Sequence, residues 1–112
     1  MEDKLYSLDQ LEALASGDSA FVNKMVDMFI QMAPESINTM ITALAEDKLE
    51  DLGAAAQKVK PSFDMMGITT LKQPIRDLEQ WGKNRTNVES IPGLLEEVTE
   101  VLNNVVQQLK AR

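Results

Sequence analysis

The side chains best suited to chemistry lie between residues 52 and 67, which read Leu-Gly-Ala-Ala-Ala-Gln-Lys-Val-Lys-Pro-Ser-Phe-Asp-Met-Met-Gly. At the centre is a carboxamide, Gln57, with Gly53, Ala54, Lys58, Lys60, Pro61 and Asp64 around it. Histidine and cysteine are both absent from the 112 residues. Nucleophilic catalysis of the Ser-His-Asp or Cys-His kind is therefore excluded. So is a Glu-x-x-His metal site of the sort built inside helical bundles. Ser62 or a carboxylate could act as a nucleophile only beside a suitable base, and the sequence identifies none. What remains is recognition. The amide nitrogen of Gln57 is delocalised into its carbonyl and is a very poor nucleophile, yet the group can still donate a hydrogen bond. Lys58 and Lys60 are either plain solvated lysines or point charges that face an acidic pocket or a phosphoryl group on a partner. No metal, cofactor or enzymatic activity is expected.

The elements that position these groups are helical. Apolar residues recur at three- and four-residue spacing almost throughout, and nothing alternates with period two. Ser7 is a candidate cap for a short helix over Leu8–Ala15, which Gly17 stops. Asp18 caps a second helix running to about Met32. Pro34 then interrupts, in the first turn of a third helix over about Glu35–Glu46. Asp47-Lys48 forms a turn, and the helix carrying Gln57 runs from Leu49 to Met66 and ends at Gly67. Thr70 with Gln73 resembles a capping box for a further helix ending near Gly82. Lys83–Glu89 reads as a loop. Ser90 caps a last helix with Ile91, Leu94, Leu95, Val98, Leu102, Val105 and Leu109 on one stripe. Short links between long amphipathic helices imply an all-α, antiparallel up-and-down four-helix bundle with a short N-terminal helix, one domain over residues 1–112.

On a wheel of about 100° per residue, Leu49, Leu52, Ala56, Val59, Phe63 and Met66 share the core side of the Gln57 helix. Gln57 falls roughly opposite, with Glu50, Gly53, Ala54, Lys60, Pro61 and Asp64 within about 60° of it. Small residues around an exposed polar side chain either let another protein approach the backbone or simply make a permissive helix. A helical Gly costs about 1 kcal/mol relative to Ala, which a plain solvated face would not repay. Pro61 lacks the N–H that would bond the Gln57 carbonyl, so a bend is expected there, serving the site or only the packing. In the second helix Phe21, Val22, Met25, Val26, Met28, Phe29, Ile30 and Met32 span an arc of about 200°, wider than the ~100° that one core face needs. Most of these should pack inward, and part of the surplus can form an exposed docking patch.

Composition narrows the partners. A formal net charge of −7 opposes generic binding to nucleic acid or to anionic membranes. No apolar run approaches the ~18 residues of a membrane span, and Met1-Glu2-Asp3-Lys4 lacks the charge pattern of a signal peptide. Seven methionines suit a helical core filled by flexible side chains. A cytoplasmic monomer is expected.

Taken together, residues 52–67 resemble the signature helix of the histidine phosphotransfer (HPt) family, His-x-Leu-Lys-Gly-Ser-x-x-x-Leu-Gly. Gln57 stands where that family places its phosphoaccepting histidine, and Lys60 holds the place of its lysine three residues later. Ser62 and Met66-Gly67 match, whereas Pro61 replaces the more usual glycine. Gly17-Asp18, Phe21 through Phe29, Ala33-Pro34-Glu35 and Leu78-Glu79 extend the resemblance over Leu8 to Leu109. It implies a domain of a two-component phosphorelay whose partner is a response-regulator receiver domain or a hybrid sensor kinase, docked on the Gln57 face. As a degenerate member, such a domain would bind receivers through Gly53, Ala54, Gln57, Lys58, Lys60, Pro61 and Asp64 and carry no phosphate. The rival reading is a helical interaction or scaffold domain unrelated to receivers, using its acidic surface or the apolar arc of the second helix.

Overall fold

The computed structural model describes residues 4–112, so Met1, Glu2 and Asp3 of the N-terminal charge reading lie outside the described residues. Five helices follow in order: α1 (Asp9–Ala15), α2 (Ser19–Ala45), α3 (Leu49–Met65), α4 (Lys72–Asn84) and α5 (Ile91–Ala111), and no strand occurs among the described residues. The helices α2, α3, α4 and α5 pack each on the next, and α5 returns to α2. This closes the up-and-down four-helix bundle that the short links imply. None of the described helices is long and apolar enough to cross a membrane.

The apolar pattern locates the core correctly. Leu49, Leu52, Ala56, Val59, Phe63 and Met66 are all buried, and so is the α5 stripe apart from the half-buried Leu94. Phe29 of α2 meets Phe63 of α3 edge to face, centroids 6.2 Å apart, the arrangement that ring quadrupoles favour. The short helix α1 packs on α2, with Leu11 fully buried. The segment before it is tied to the end of α3, where the Ser7 N–H donates to the Met66 carbonyl at 2.9 Å. Gly67, at φ +61°, turns the chain there, and a Cβ on it would strike Ser7.

Four expectations about boundaries are corrected. Pro34 does not separate two helices, because α2 runs unbroken for 27 residues through it. A proline inside a helix costs about 3 kcal/mol and leaves the Ile30 carbonyl without its usual donor. Beyond it, however, Ile37, Met40 and Ala43 continue the buried stripe begun by Val22, Val26, Phe29 and Ala33. Burying one large apolar side chain contributes about 1.5–3 kcal/mol, so the continued helix wins. The ring itself lies on the exposed side.

The capping box at Thr70 and Gln73 does not form. The buried Ile68 and Leu71 pin a 3-10 turn over Thr69–Leu71 that feeds α4 directly, and Gln73 Nε2 donates to Asp77 Oδ1 instead. Gly82 does not end α4, which continues to Asn84, so the expected loop shrinks to residues 85–87. Arg85 and Asn87 adopt left-handed backbone there, at φ 52° and 48°. Ser90 occupies the cap position of α5 without a side-chain hydrogen bond, because a 3-10 turn over Val88–Ser90 leads into the helix. Asp18, by contrast, caps α2 as expected, accepting from the Phe21 N–H at 3.2 Å. Beside α1, Ser7 Oγ accepts from the Asp9 N–H at 3.3 Å while Leu8 takes the cap position itself.

Candidate functional site

The closest helix pairing in the bundle is α3 with α4, and it is built on two glycines. A Cβ on Gly53 would lie 2.8 Å from the Lys83 nitrogen, and one on Gly82 would lie 2.6 Å from the Leu49 carbonyl. Both clashes are with backbone, which cannot swing aside as a side chain could. Gly53 is therefore buried in the crossing and not displayed on the Gln57 face, where the wheel places it. The wheel reports a direction around one helix but not which neighbour arrives there. The cost of a helical glycine is repaid inside the bundle.

On either side of this crossing, polar side chains reach across the seam. Arg85 Nε donates to Glu50 Oε1 at 2.9 Å. Lys83 Nζ donates to the carboxamide oxygen of Gln57. Glu79 accepts from Lys60 at 2.7 Å and from Lys83 at 3.2 Å. Arg76 pairs with Asp64 at 2.8 Å. The order 50, 57, 60, 64 on α3 against 85, just past the end of α4, and 83, 79, 76 within it records their antiparallel course.

Glu79 is the one buried charged residue of this group, with a side chain only 10% exposed. The Lys60 hydrogen bond holds its carboxyl below the ordinary value of 4.5, with Lys83 adding to this, against the upward push of burial. The bridge from Lys83 to both Glu79 and Gln57 fixes an ammonium group beside the carboxamide. Neighbouring charge pairs are more exposed and correspondingly weaker contributors. Arg85 lowers the Glu50 carboxyl in the same manner, at an exposed position.

The structure brings together part of the expected surface. Gln57, Ala54, Lys58 and Pro61 are exposed. Lys60 and Asp64 are half-buried and already engaged within the chain, by Glu79 and Arg76 respectively. Lys83, read from sequence as the start of a loop, is instead the residue that contacts Gln57. One signal for it was available: Glu79 and Lys83 stand four apart, the spacing of neighbours on one helix face. What the arrangement offers chemically is a fixed hydrogen-bonding and cationic surface. Among the described residues no group of His, Cys, Asp or Glu could hold a metal ion.

Beside this surface, Pro61 also borders an apolar groove between α2 and α3 of about 350 Å³, lined chiefly by Met25, Met28, Met32 and Met65. Of the wide α2 arc, Val22, Val26 and Phe29 are buried, whereas Phe21 and Met28 remain 40% and 53% exposed.

No curated protein and no solved structure matches the chain. The profile of the Hpt domain does match, over residues 24–112, which takes in most of α2 and the whole of α3, α4 and α5. With that span, and with the four-helix bundle on which it falls, the chain belongs to the Hpt domain family.

Proposed function

We propose that this chain is a single, cytoplasmic, monomeric Hpt domain that docks receiver domains through the exposed face of α3 but carries no phosphoryl group itself. Membership of the family implies phosphorelay signalling, with receiver domains or a hybrid sensor kinase as partners. The observation that carries the reading is the state of Gln57. It is exposed in the middle of α3, at the place the resemblance assigns to the phosphoaccepting histidine, and its carboxamide accepts from Lys83. An imidazole would present a nitrogen lone pair to phosphorus at that point, whereas an amide nitrogen does not. Docking depends on shape and on the surrounding side chains. Ala54, Lys58 and Pro61 leave that surface open, Lys60 and Asp64 edge it, and Gly53 supports it from within the crossing.

The experiment is to mix the protein, and a Gln57→His variant, with a panel of phosphorylated receiver domains, following complex formation and phosphate together. Binding by both, with phosphate acquired only by the variant, supports the reading. Phosphate on the unaltered protein would overturn the chemistry. Absence of binding by either would favour the alternative, a helical interaction or scaffold domain unrelated to receivers, for which the exposed Phe21 and Met28 on α2 are the supporting observation.

A further inference from the structure

Of the seven methionines, five line one groove between α2 and α3. They are not equivalent. Met28 is 53% exposed, Met25, Met32 and Met65 are half-buried, and Met66 is only 3% exposed at the groove wall. Met40, elsewhere in α2, is fully buried. Ser36 Oγ donates to Met32 Sδ at 3.3 Å, engaging one sulfur lone pair. Reactivity of a thioether toward peroxide needs access to a sulfur lone pair, so the groove presents a graded series with Met28 first.

We infer that this groove is a site of reversible methionine oxidation, which changes docking at the adjoining Gln57 face. The oxidant class is a hydroperoxide. The Met28 sulfur attacks the distal peroxide oxygen, an S–O bond forms as the O–O bond breaks, and with hydrogen peroxide the departing hydroxide leaves as water after proton transfer. The product is a sulfoxide. Sulfur is oxidised, peroxide is reduced, and a thiol-dependent reductase reverses the change. An apolar, adaptable side chain thereby becomes a polar hydrogen-bond acceptor.

Two features tie this chemistry to docking. Pro61 belongs both to the groove and to the exposed face, one helical turn beyond Gln57. The groove is also apolar ground that Met28 and Met65 share with Pro61, within reach of a partner seated on Gln57 and Pro61. This effect on docking rests on the receiver-binding reading above, whereas the oxidation site itself does not.

The test treats the full chain with hydrogen peroxide and maps sulfoxides by peptide mass spectrometry, with circular dichroism confirming retained helices. A receiver that binds the untreated protein is then titrated against both forms. Among the methionines of the described residues, Met28 should oxidise first and Met40 last. The receiver dissociation constant should rise at least ~10-fold and return after methionine sulfoxide reductase with dithiothreitol. A Met28→Leu variant, apolar but not oxidisable, should retain more binding after peroxide. Oxidation of Met40 as fast as Met28 in folded protein overturns the site. Selective oxidation with unchanged binding overturns the effect on docking and leaves the receiver reading standing. If the untreated protein binds no receiver, that reading and the effect on docking both fall, and the order of oxidation alone decides the site.

Discussion

Glu79 concentrates the electrostatics of the candidate site in one carboxylate. It is buried, accepts from Lys60 and Lys83, and so fixes the ammonium that meets Gln57. Replacing one carboxylate oxygen by an amide NH2 leaves a single acceptor and sets a donor against an ammonium. A hydrogen bond to a charged group is typically worth about 1.5–3 kcal/mol. Glu79→Gln should therefore destabilise the fold by about that amount in urea titrations, with Lys83 released from its fixed place. The pH dependence has a definite sign. Because the folded carboxyl lies below its ordinary 4.5, the stability it contributes is present above that value and is lost as pH falls through the lowered one. The Glu79→Gln protein should lose less stability than the parent as the pH falls below 4.5, measured by denaturant midpoint. Gln57→His, on an exposed helix face, should shift stability by no more than about 0.5 kcal/mol. Its phosphate readout is then free of folding effects.

At the scale of elements, the α3–α4 pair depends on the absence of side chains at Gly53 and Gly82. Helix propensity alone favours Gly→Ala by about 1 kcal/mol. At Gly82 the new methyl would sit 2.6 Å from the Leu49 carbonyl and 2.7 Å from the Gly53 nitrogen. Overpacking of this kind typically costs about 1–3 kcal/mol, and here the obstruction is backbone. Gly82→Ala should accordingly be destabilising. Gly93→Ala in α5, where no atom lies within 4 Å, should stabilise by up to about 1 kcal/mol. Opposite signs for the two in thermal melts would establish the crossing, and matching signs would refute it. The same pair marks what sequence can convey. Leu49, Leu52, Ala56, Val59, Phe63 and Met66 were legible because a helical period projects one stripe toward any core. The burial of Gly53 was not, since it depends on Gly82 arriving from 29 positions away. The unbroken α2 was hidden for a related reason: Pro34 is a strong local signal, overridden only by burial of Ile37, Met40 and Ala43 against other helices. Gln57 was readable as exposed, whereas its contact with Lys83 required the antiparallel register.

For the whole molecule, the helix α1 and the segment before it complete the bundle although the matched family region begins only at residue 24. Leu11 is fully buried, Tyr6 is 8% exposed, and the Leu5 N–H donates to Gln108 Oε1 of α5 at 2.8 Å. Leu11→Ala should cost about 2–5 kcal/mol, as for other buried leucines, and lower the melting temperature of the entire bundle in one transition. Two separate transitions would mean that α1 folds as an independent appendage. The glycine crossing also bears on how quickly the chain finds this arrangement. The side-chain links across it join residues 12 to 35 apart in sequence, so closing that hairpin sacrifices little chain entropy. The hairpin is thus the natural nucleus of folding, and Gly82→Ala should act mainly by slowing the folding limb of the chevron, with less effect on unfolding. The surface proposed to receive a partner would then be among the first parts of the molecule to form.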